Sequence, residues 1–93
     1  MSINVFENEV TLTNELGFHA RAAAVFVKYA SDYNAEIRIQ KDEVEVNGKS
    51  IMGILMLAMP KGESFTIKAF GSDAEEAVGE LSELVNNKFG ETS

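Results

Sequence analysis

The stretch AEIRIQKDEVEVN, residues 35–47, decides the fold class. Apolar residues alternate with polar ones from Ala35 to Ile39, the pair Lys41–Asp42 turns the chain, and the alternation resumes from Val44 to Val46. Such alternation is the pattern of a strand with one face in the core and the other in water. The stretch therefore predicts a β-hairpin in an antiparallel sheet that is solvated on one side.

Alternating and helical runs flank this hairpin on both sides. The predicted elements are a strand from near Asn4 through Val10 and Leu12, a helix over Ala20–Ser31, a short helix over Ile51–Ala58, a strand over Phe65–Ala69, and a last helix that starts with a Ser72/Glu75 capping box and ends at Gly90. The order of these elements indicates an α+β open-faced sandwich, in which three helices cover one face of a four-stranded antiparallel sheet. We expect residues 1–93 to form a single domain.

Composition excludes several classes of function. Fifteen acidic against eight basic residues give a net charge of −7, which argues against a nucleic-acid partner. With no cysteine and one histidine, we expect no disulfide, metal site or cofactor. The start of the chain lacks the pattern of a secretory signal, and the longest apolar run, Ile51–Met59, is too short for membrane insertion. These features predict a cytoplasmic protein. The acidic run in Asp73–Ser93 is interpreted as a solvated face.

The single histidine, His19, lies between the first strand and the first helix, in the segment Gly17-Phe18-His19-Ala20-Arg21. A helix N-terminus has unpaired amides and a partial positive charge, so it favours an anion and a neutral imidazole. A phosphoryl group on His19 would lie against the amides of Ala20 and Arg21, with the Arg21 guanidinium as a clamp. The alternative is that His19 only caps the helix or packs on Phe18.

The short helix that follows Ser50 has apolar residues all round its axis. If Ile54, Leu57 and Ala58 point inward, then Ile51, Met52 and Leu55 are largely exposed and form a partner surface. The alternative is a helix that is sunk deep in the fold. Ser50, preceded by Lys49, is either a simple N-cap or a phosphorylation site whose added charge would lie beside the apolar patch.

Gly17-Phe18-His19-Ala20-Arg21 together with Lys49-Ser50-Ile51-Met52-Gly53-Ile54-Leu55 resembles the HPr family, the histidine-containing phosphocarriers of the bacterial phosphoenolpyruvate-dependent phosphotransferase system. The resemblance covers essentially the whole chain. It implies that His19 accepts a phosphoryl group at Nδ1 from phospho-Enzyme I and passes it to a downstream acceptor, with Arg21 assisting. The protein would then be a phosphoryl carrier in sugar transport, not a stand-alone enzyme.

The resemblance also implies that Ser50 matches a serine modified by HPr kinase/phosphorylase, and that Phe18, Lys49, Ile51, Met52 and Leu55 contact partners. We expect a monomer. In many members of the family a proline follows the arginine, whereas Ala22 follows Arg21 here. Alanine keeps the helix and removes no phosphate ligand, but the departure leaves open whether the chain belongs to the sugar branch or to the nitrogen-related branch.

Two other functions are compatible with the sequence. One is a regulatory protein-binding module that acts mainly through Ser50 and the Ile51/Met52/Leu55 surface. The other is a small ligand-sensing domain with a structural histidine, which would need a polar pocket that the sequence does not indicate. The pairing of His19 with Arg21 favours the phosphocarrier over both.

Overall fold

A computed structural model describes residues 4–93 of the chain. The element order is the predicted one, followed by one extra helical turn: β1 Val5–Thr11, α1 Ala20–Ala30, β2 Glu36–Lys41, β3 Val44–Asn47, α2 Ile51–Leu55, β4 Ser64–Phe70, α3 Ala74–Asn86 and a 3₁₀ turn at Lys88–Gly90. In the described part of the chain, no helix is long and apolar enough to cross a bilayer.

The sheet has four strands in the order β1-β4-β2-β3, and every neighbouring pair is antiparallel. Ile39 of β2 is opposite Val46 on one side and Ile67 of β4 on the other. In the β2–β3 hairpin Lys41 pairs with Val44, so the loop consists of Asp42 and Glu43, one residue later than the predicted turn. Asp42 has φ +55°, a conformation that a short aspartate side chain tolerates.

The helices cover one face of the sheet, as the period of two in the strands predicts. Ile37, Ile39 and Ile67 point into the core and are fully buried, while intervening polar residues such as Arg38 and Lys68 keep contact with water. From the helices Phe26 of α1, Ile54 of α2 and the apolar stripe of α3 complete the same core: Ala74, Ala77, Val78, Leu81 and Val85. The α+β open-faced sandwich is therefore confirmed.

The predicted capping box of the last helix is wrong. Helix α3 begins at Ala74 with Asp73 at the N-cap, and no side chain caps it. The Asp73 carboxylate instead accepts hydrogen bonds from the backbone amides of Asn34 and Ala35, each 2.8 Å long. This aspartate is thus used to tie the start of β2 to the start of α3, and Ser72 lies in the preceding turn. The same contact shows that the acidic run is not uniformly a solvated face.

Helices α2 and α3 both end earlier than predicted. Helix α2 stops at Leu55, and Ala58 has φ +49°, which turns the chain so that Met59 enters the core. Helix α3 stops at Asn86, four residues before Gly90. The backbone there turns sharply at Lys88 and Phe89, with φ near +58° and +57°, and folds the last residues back toward the start of α1.

Candidate functional site

The site is built around His19, which is the N-cap residue of α1. The preceding Gly17 has φ +65°, and a Cβ there would lie 2.6 Å from the Met59 carbonyl oxygen, so no side chain fits. The Phe18 amide donates to that same oxygen at 2.9 Å. The predicted bend at Gly17 is confirmed. It packs the backbone before His19 against Met59 and Pro60, in the segment that follows α2.

The first amides of α1 are available to an anion. The N–H of Ala23 donates to the His19 carbonyl at 2.9 Å, which closes the first turn. The N–H groups of Ala20 and Arg21 have no acceptor within residues 4–93, and the first turn of the helix contains no acidic residue. A helix start with free amides carries about half a positive charge. The two predicted phosphate-binding amides are thus unpaired; their binding of phosphate stays a prediction.

The imidazole of His19 is held by a carboxylate from the other end of the chain. Its Nε2 lies 2.6 Å from Oε2 of Glu91, and the two side chains are 24% and 20% exposed. The other Glu91 oxygen accepts a 2.9 Å hydrogen bond from Nδ2 of Asn14. Asn14 is fully buried and also donates to the Gly17 carbonyl at 2.8 Å. The His19 side chain does not cap the helix.

These contacts stabilise the ionised form of Glu91. Burial acts to raise the pKa of the carboxyl, but the hydrogen bonds from Asn14 and His19 outweigh it, and the nearby charges of His19 and Arg21 act in the same direction. The net effect lowers the pKa of Glu91 below its usual value. The site therefore contains a carboxylate beside the imidazole at neutral pH.

Arg21 and His19 both line a cavity of about 650 Å³. Leu16, Val25 and the end of the chain form its other walls, with Phe89, Gly90, Glu91, Thr92 and Ser93 as the chain-end residues. The Arg21 side chain is exposed and makes no ion pair with any residue of the described range. The guanidinium is consequently free to meet an incoming anionic group.

Phe18 does not belong to the surface. Its side chain is 4% exposed, and its ring lies 5.5 Å from Phe26, 5.4 Å from Phe65 and 5.1 Å from Phe89, measured between ring centroids. The expectation that Phe18 contacts a partner is therefore corrected: the ring is a core residue. Its packing fixes the backbone directly before His19.

The apolar surface of the α2 region differs from the predicted set at two positions. Ile51 and Met52 are exposed, at 39% and 71%, as predicted. Leu55, which was predicted to be exposed, is half-buried because it packs against the core. Met56, which was not singled out, is 80% exposed. Ala58 was expected inside and is exposed. We define the apolar patch as Ile51, Met52 and Met56.

Ser50 and Lys49 both have structural partners. The Ser50 hydroxyl accepts a 3.0 Å hydrogen bond from the Gly53 amide, so the N-cap interpretation is confirmed, and the residue is half-buried. The Lys49 ammonium donates to the carbonyl of Tyr33 at 2.7 Å. Lys49 is therefore engaged within the fold, and a partner would have to compete for it.

Asn14 and Glu91 are the two residues of the site that the sequence did not indicate. Asn14 follows an alternating strand in a polar loop, where an asparagine is ordinary. Glu91 was interpreted as part of a solvated acidic run. The one available signal was Phe89 just beyond the last helix, since an apolar residue there often packs back onto the fold.

The chain is similar to known phosphocarrier proteins in sequence and in fold. The family model described as "PTS HPr component phosphorylation site" matches residues 6–87. A "Phosphocarrier protein HPr" from Pseudomonas aeruginosa is 45% identical over 84 residues, which are 89% of this chain and 93% of the relative. A "Phosphocarrier protein NPr" from Shewanella violacea is 40% identical over 87 residues, covering 94% and 96% of the two chains. The crystal structure of HPr-C-His from Thermoanaerobacter tengcongensis superposes with a TM-score of 0.91 at 42% identity, covering 95% of this chain and 99% of that one.

Proposed function

Because the chain belongs to the HPr phosphocarrier family of the phosphotransferase system, we propose that it accepts a phosphoryl group on His19 from phospho-Enzyme I and passes it to downstream acceptors. The observation that carries the proposal is a half-buried imidazole at a helix start whose first two amides are unpaired among the described residues. A site of this kind combines a nucleophile with preorganised donors for the oxygens of the transferred group.

The chemistry is an in-line exchange of one bond for another. The lone pair of His19 Nδ1 attacks the phosphorus atom, the new N–P bond forms, and the bond to the donor atom on Enzyme I breaks with its electron pair remaining on the donor. The amides of Ala20 and Arg21 stabilise negative charge on the phosphoryl oxygens. The exposed guanidinium of Arg21 adds a mobile positive charge at the same side. Onward transfer repeats the exchange with the acceptor as the attacking group.

The apolar patch supports docking of these partners. Ile51, Met52 and Met56 place exposed apolar side chains in the α2 region, and Leu16 adds a 70% exposed side chain on the loop before His19. Methionine side chains adapt to differently shaped surfaces. An adaptable apolar patch would suit a carrier that must bind both a donor and several acceptors in turn.

Ser50 supplies a regulatory position in this proposal. HPr kinase/phosphorylase would attach a phosphoryl group to the Ser50 hydroxyl oxygen, which now accepts from Gly53, and the hydroxyl proton would be lost. The phosphoryl group would add negative charge next to Ile51 and Met52, where docking requires desolvation. The expected result is weaker association with Enzyme I. We further propose that the protein acts as a monomer in the cytoplasm and takes part in sugar uptake.

The second candidate is a regulatory binding module of the nitrogen-related branch that acts mainly through Ser50 and the Ile51/Met52/Leu55 surface. The similarity to a relative named NPr favours keeping it. It differs from the first candidate in needing no phosphohistidine. The half-buried state of Leu55 leaves the apolar patch as the surface that such a module would use.

The decisive experiment is phosphorylation by Enzyme I and phosphoenolpyruvate. The wild-type chain should gain one acid-labile phosphate, measured by intact mass, and His19→Ala should gain none while keeping its circular dichroism spectrum. Arg38→Ala, a substitution on the opposite face of the sheet, is the control and should be phosphorylated at the wild-type rate. A wild-type chain that stays unmodified, or a His19→Ala variant that still gains acid-labile phosphate, contradicts the carrier function.

A further inference from the structure

The segment after α3 is held in a costly conformation against the histidine. Lys88 and Phe89 both adopt positive φ, which is disfavoured for most residues other than glycine, asparagine and aspartate. Burial of the Phe89 ring, which is 6% exposed and 5.1 Å from the Phe18 ring centroid, offsets this cost. The fold thus uses an aromatic anchor to deliver Glu91 to the imidazole.

Two hydrogen bonds then set the direction of the Glu91 carboxylate. Oε1 accepts from the buried Asn14 amide at 2.9 Å, which leaves Oε2 on Nε2 of His19 at 2.6 Å. Asn14 is itself fixed by the bond that it donates to the Gly17 carbonyl. The Glu91 carboxylate is therefore positioned by Asn14, which is itself bonded to Gly17 in the loop before His19. The flexible Glu91 side chain is thus held in its contact with the ring.

We propose that Glu91 is the positioning residue of His19: its carboxylate holds the proton on Nε2, leaves the lone pair on Nδ1 for attack, and stabilises the positive charge that the ring gains during phosphoryl transfer. A neutral imidazole carries one N–H, so an acceptor fixed at Nε2 selects the tautomer in which Nδ1 is unprotonated. This inference rests on the proposed function of His19 and adds a role for the end of the chain.

The charge argument follows the proton and electron count of the transfer. When neutral His19 attacks through Nδ1 and keeps its Nε2 proton, the ring becomes cationic as the N–P bond forms. A carboxylate hydrogen-bonded to the far nitrogen stabilises that cation, as the aspartate does for the histidine of a serine-protease triad. The Glu91 contact thus favours phosphoryl transfer by stabilising the cationic ring. The negative charge of the carboxylate also repels the incoming phosphoryl group.

The negative charge of Glu91 therefore allows an opposite, inhibitory role, and the two roles predict different effects of removing the carboxylate. A carboxylate that mainly competes with the phosphoryl group for the positive end of α1 would be inhibitory, and its removal would accelerate transfer. A positioning carboxylate must do the reverse. Loss of a hydrogen bond to a charged group predicts a rate that falls roughly ten- to a hundredfold in Glu91→Ala.

The test measures the tautomer and the rate on the same variants. The ¹⁵N chemical shifts of the His19 ring, recorded at a pH of about 8.5 where an ordinary imidazole is neutral, report which nitrogen holds the proton. Rapid-quench kinetics with excess phospho-Enzyme I report transfer. Glu83→Ala is the matched control, because it removes the same charge from an exposed position of α3 with no side-chain hydrogen bond among the described residues.

In the wild type we expect the proton on Nε2. Glu91→Ala should shift the ring toward the tautomer mixture of free imidazole and slow transfer by the stated factor. Glu91→Gln retains one oxygen, for which Asn14 and Nε2 compete, so this variant should keep part of the Nε2 tautomer and part of the rate. Glu83→Ala should change neither. An unchanged tautomer in Glu91→Ala, or a rate equal to or above wild type, overturns the inference. A wild type that accepts no phosphate at all instead overturns the function of His19, and the tautomer shifts still show whether Glu91 governs the ring.

Discussion

Replacing Phe89 with alanine tests whether the aromatic anchor is needed for both stability and the Glu91 contact. The ring is 6% exposed and packs on Phe18, so its removal deletes most of a buried aromatic side chain. Such substitutions cost about 3–5 kcal/mol. Phe89 lies in a short 3₁₀ turn, where neighbouring residues relax more easily than in a long helix or a sheet, so we expect the lower value, about 3 kcal/mol. For a domain of this size that loss lowers Tm by roughly 12–24 °C.

The assay is thermal and urea unfolding followed by circular dichroism, with Phe6→Ala as the matched control. Phe6 is 37% exposed, so the same change there should cost about two thirds as much, since less apolar area leaves contact with the core. A Phe89→Ala loss below about 1 kcal/mol, or one no larger than that of Phe6→Ala, would refute the packing of the chain end.

The same variant separates the anchor from the residue that it carries. If Phe89 acts on transfer only by delivering Glu91, the double variant Phe89→Ala/Glu91→Ala should transfer no more slowly than Glu91→Ala alone. In a double-mutant cycle the two rate effects would then be strongly non-additive. Additive effects would mean that Phe89 acts on the His19 loop through Phe18, independently of the carboxylate.

Four further predictions address individual parts of the site. Arg21→Ala should slow transfer about tenfold or more without lowering Tm, because the exposed guanidinium has no ion pair in the described range; wild-type rates in rapid-quench experiments would remove Arg21 from the mechanism. Met52→Glu should weaken binding to Enzyme I in calorimetry at nearly constant Tm, because the side chain is 71% exposed; a large fall in Tm would show that Met52 is a core residue. Ser50→Asp should lower the association constant for Enzyme I, with the rate largely recovered at saturating Enzyme I; an undiminished association constant, or a defect that persists at saturation, contradicts the docking explanation. The pKa of Glu91 is lowered in the folded state from 4.5, so the stability that its carboxylate contributes should be complete above that pH and disappear as the pH falls through the folded value. The difference in Tm between wild type and Glu91→Ala should therefore shrink on acidification. A difference that stays constant down to about pH 2 would contradict the lowered pKa.

The fold and the central residues of the site were predictable from the sequence because both have local signals. The period of two in residues 35–47 reports which side chains face the core, and this is a property of each strand alone. The position of His19 at a helix start likewise follows from a helical run that begins at Ala20. The exposure of Met52 could be argued because a helix as short as α2 buries only one side.

Local patterns failed where a residue had a choice of partners. Asp73 resembled one more acidic residue of a helix start, but two amides near β2 are the groups that it binds. The family resemblance implied that Phe18 contacts partners, but three other aromatic rings surround it in the core. In each case the groups that the residue contacts in the structure are dozens of residues away or become its neighbours only after the sheet and helices pack.

Sequence by itself determined the α+β sandwich, the helix start at His19 and Arg21, and the N-cap at Ser50, because spacing along the chain is enough to specify each of them. Only the tertiary structure decided that Glu91, 72 residues beyond His19, meets Nε2 of the imidazole. That contact requires α3 to cross the sheet, the chain to reverse at Lys88 and Phe89, and the Phe89 ring to find the cluster around Phe18. No periodicity encodes such a meeting, because it depends on the positions of packed elements and not on the order of residues within any one of them.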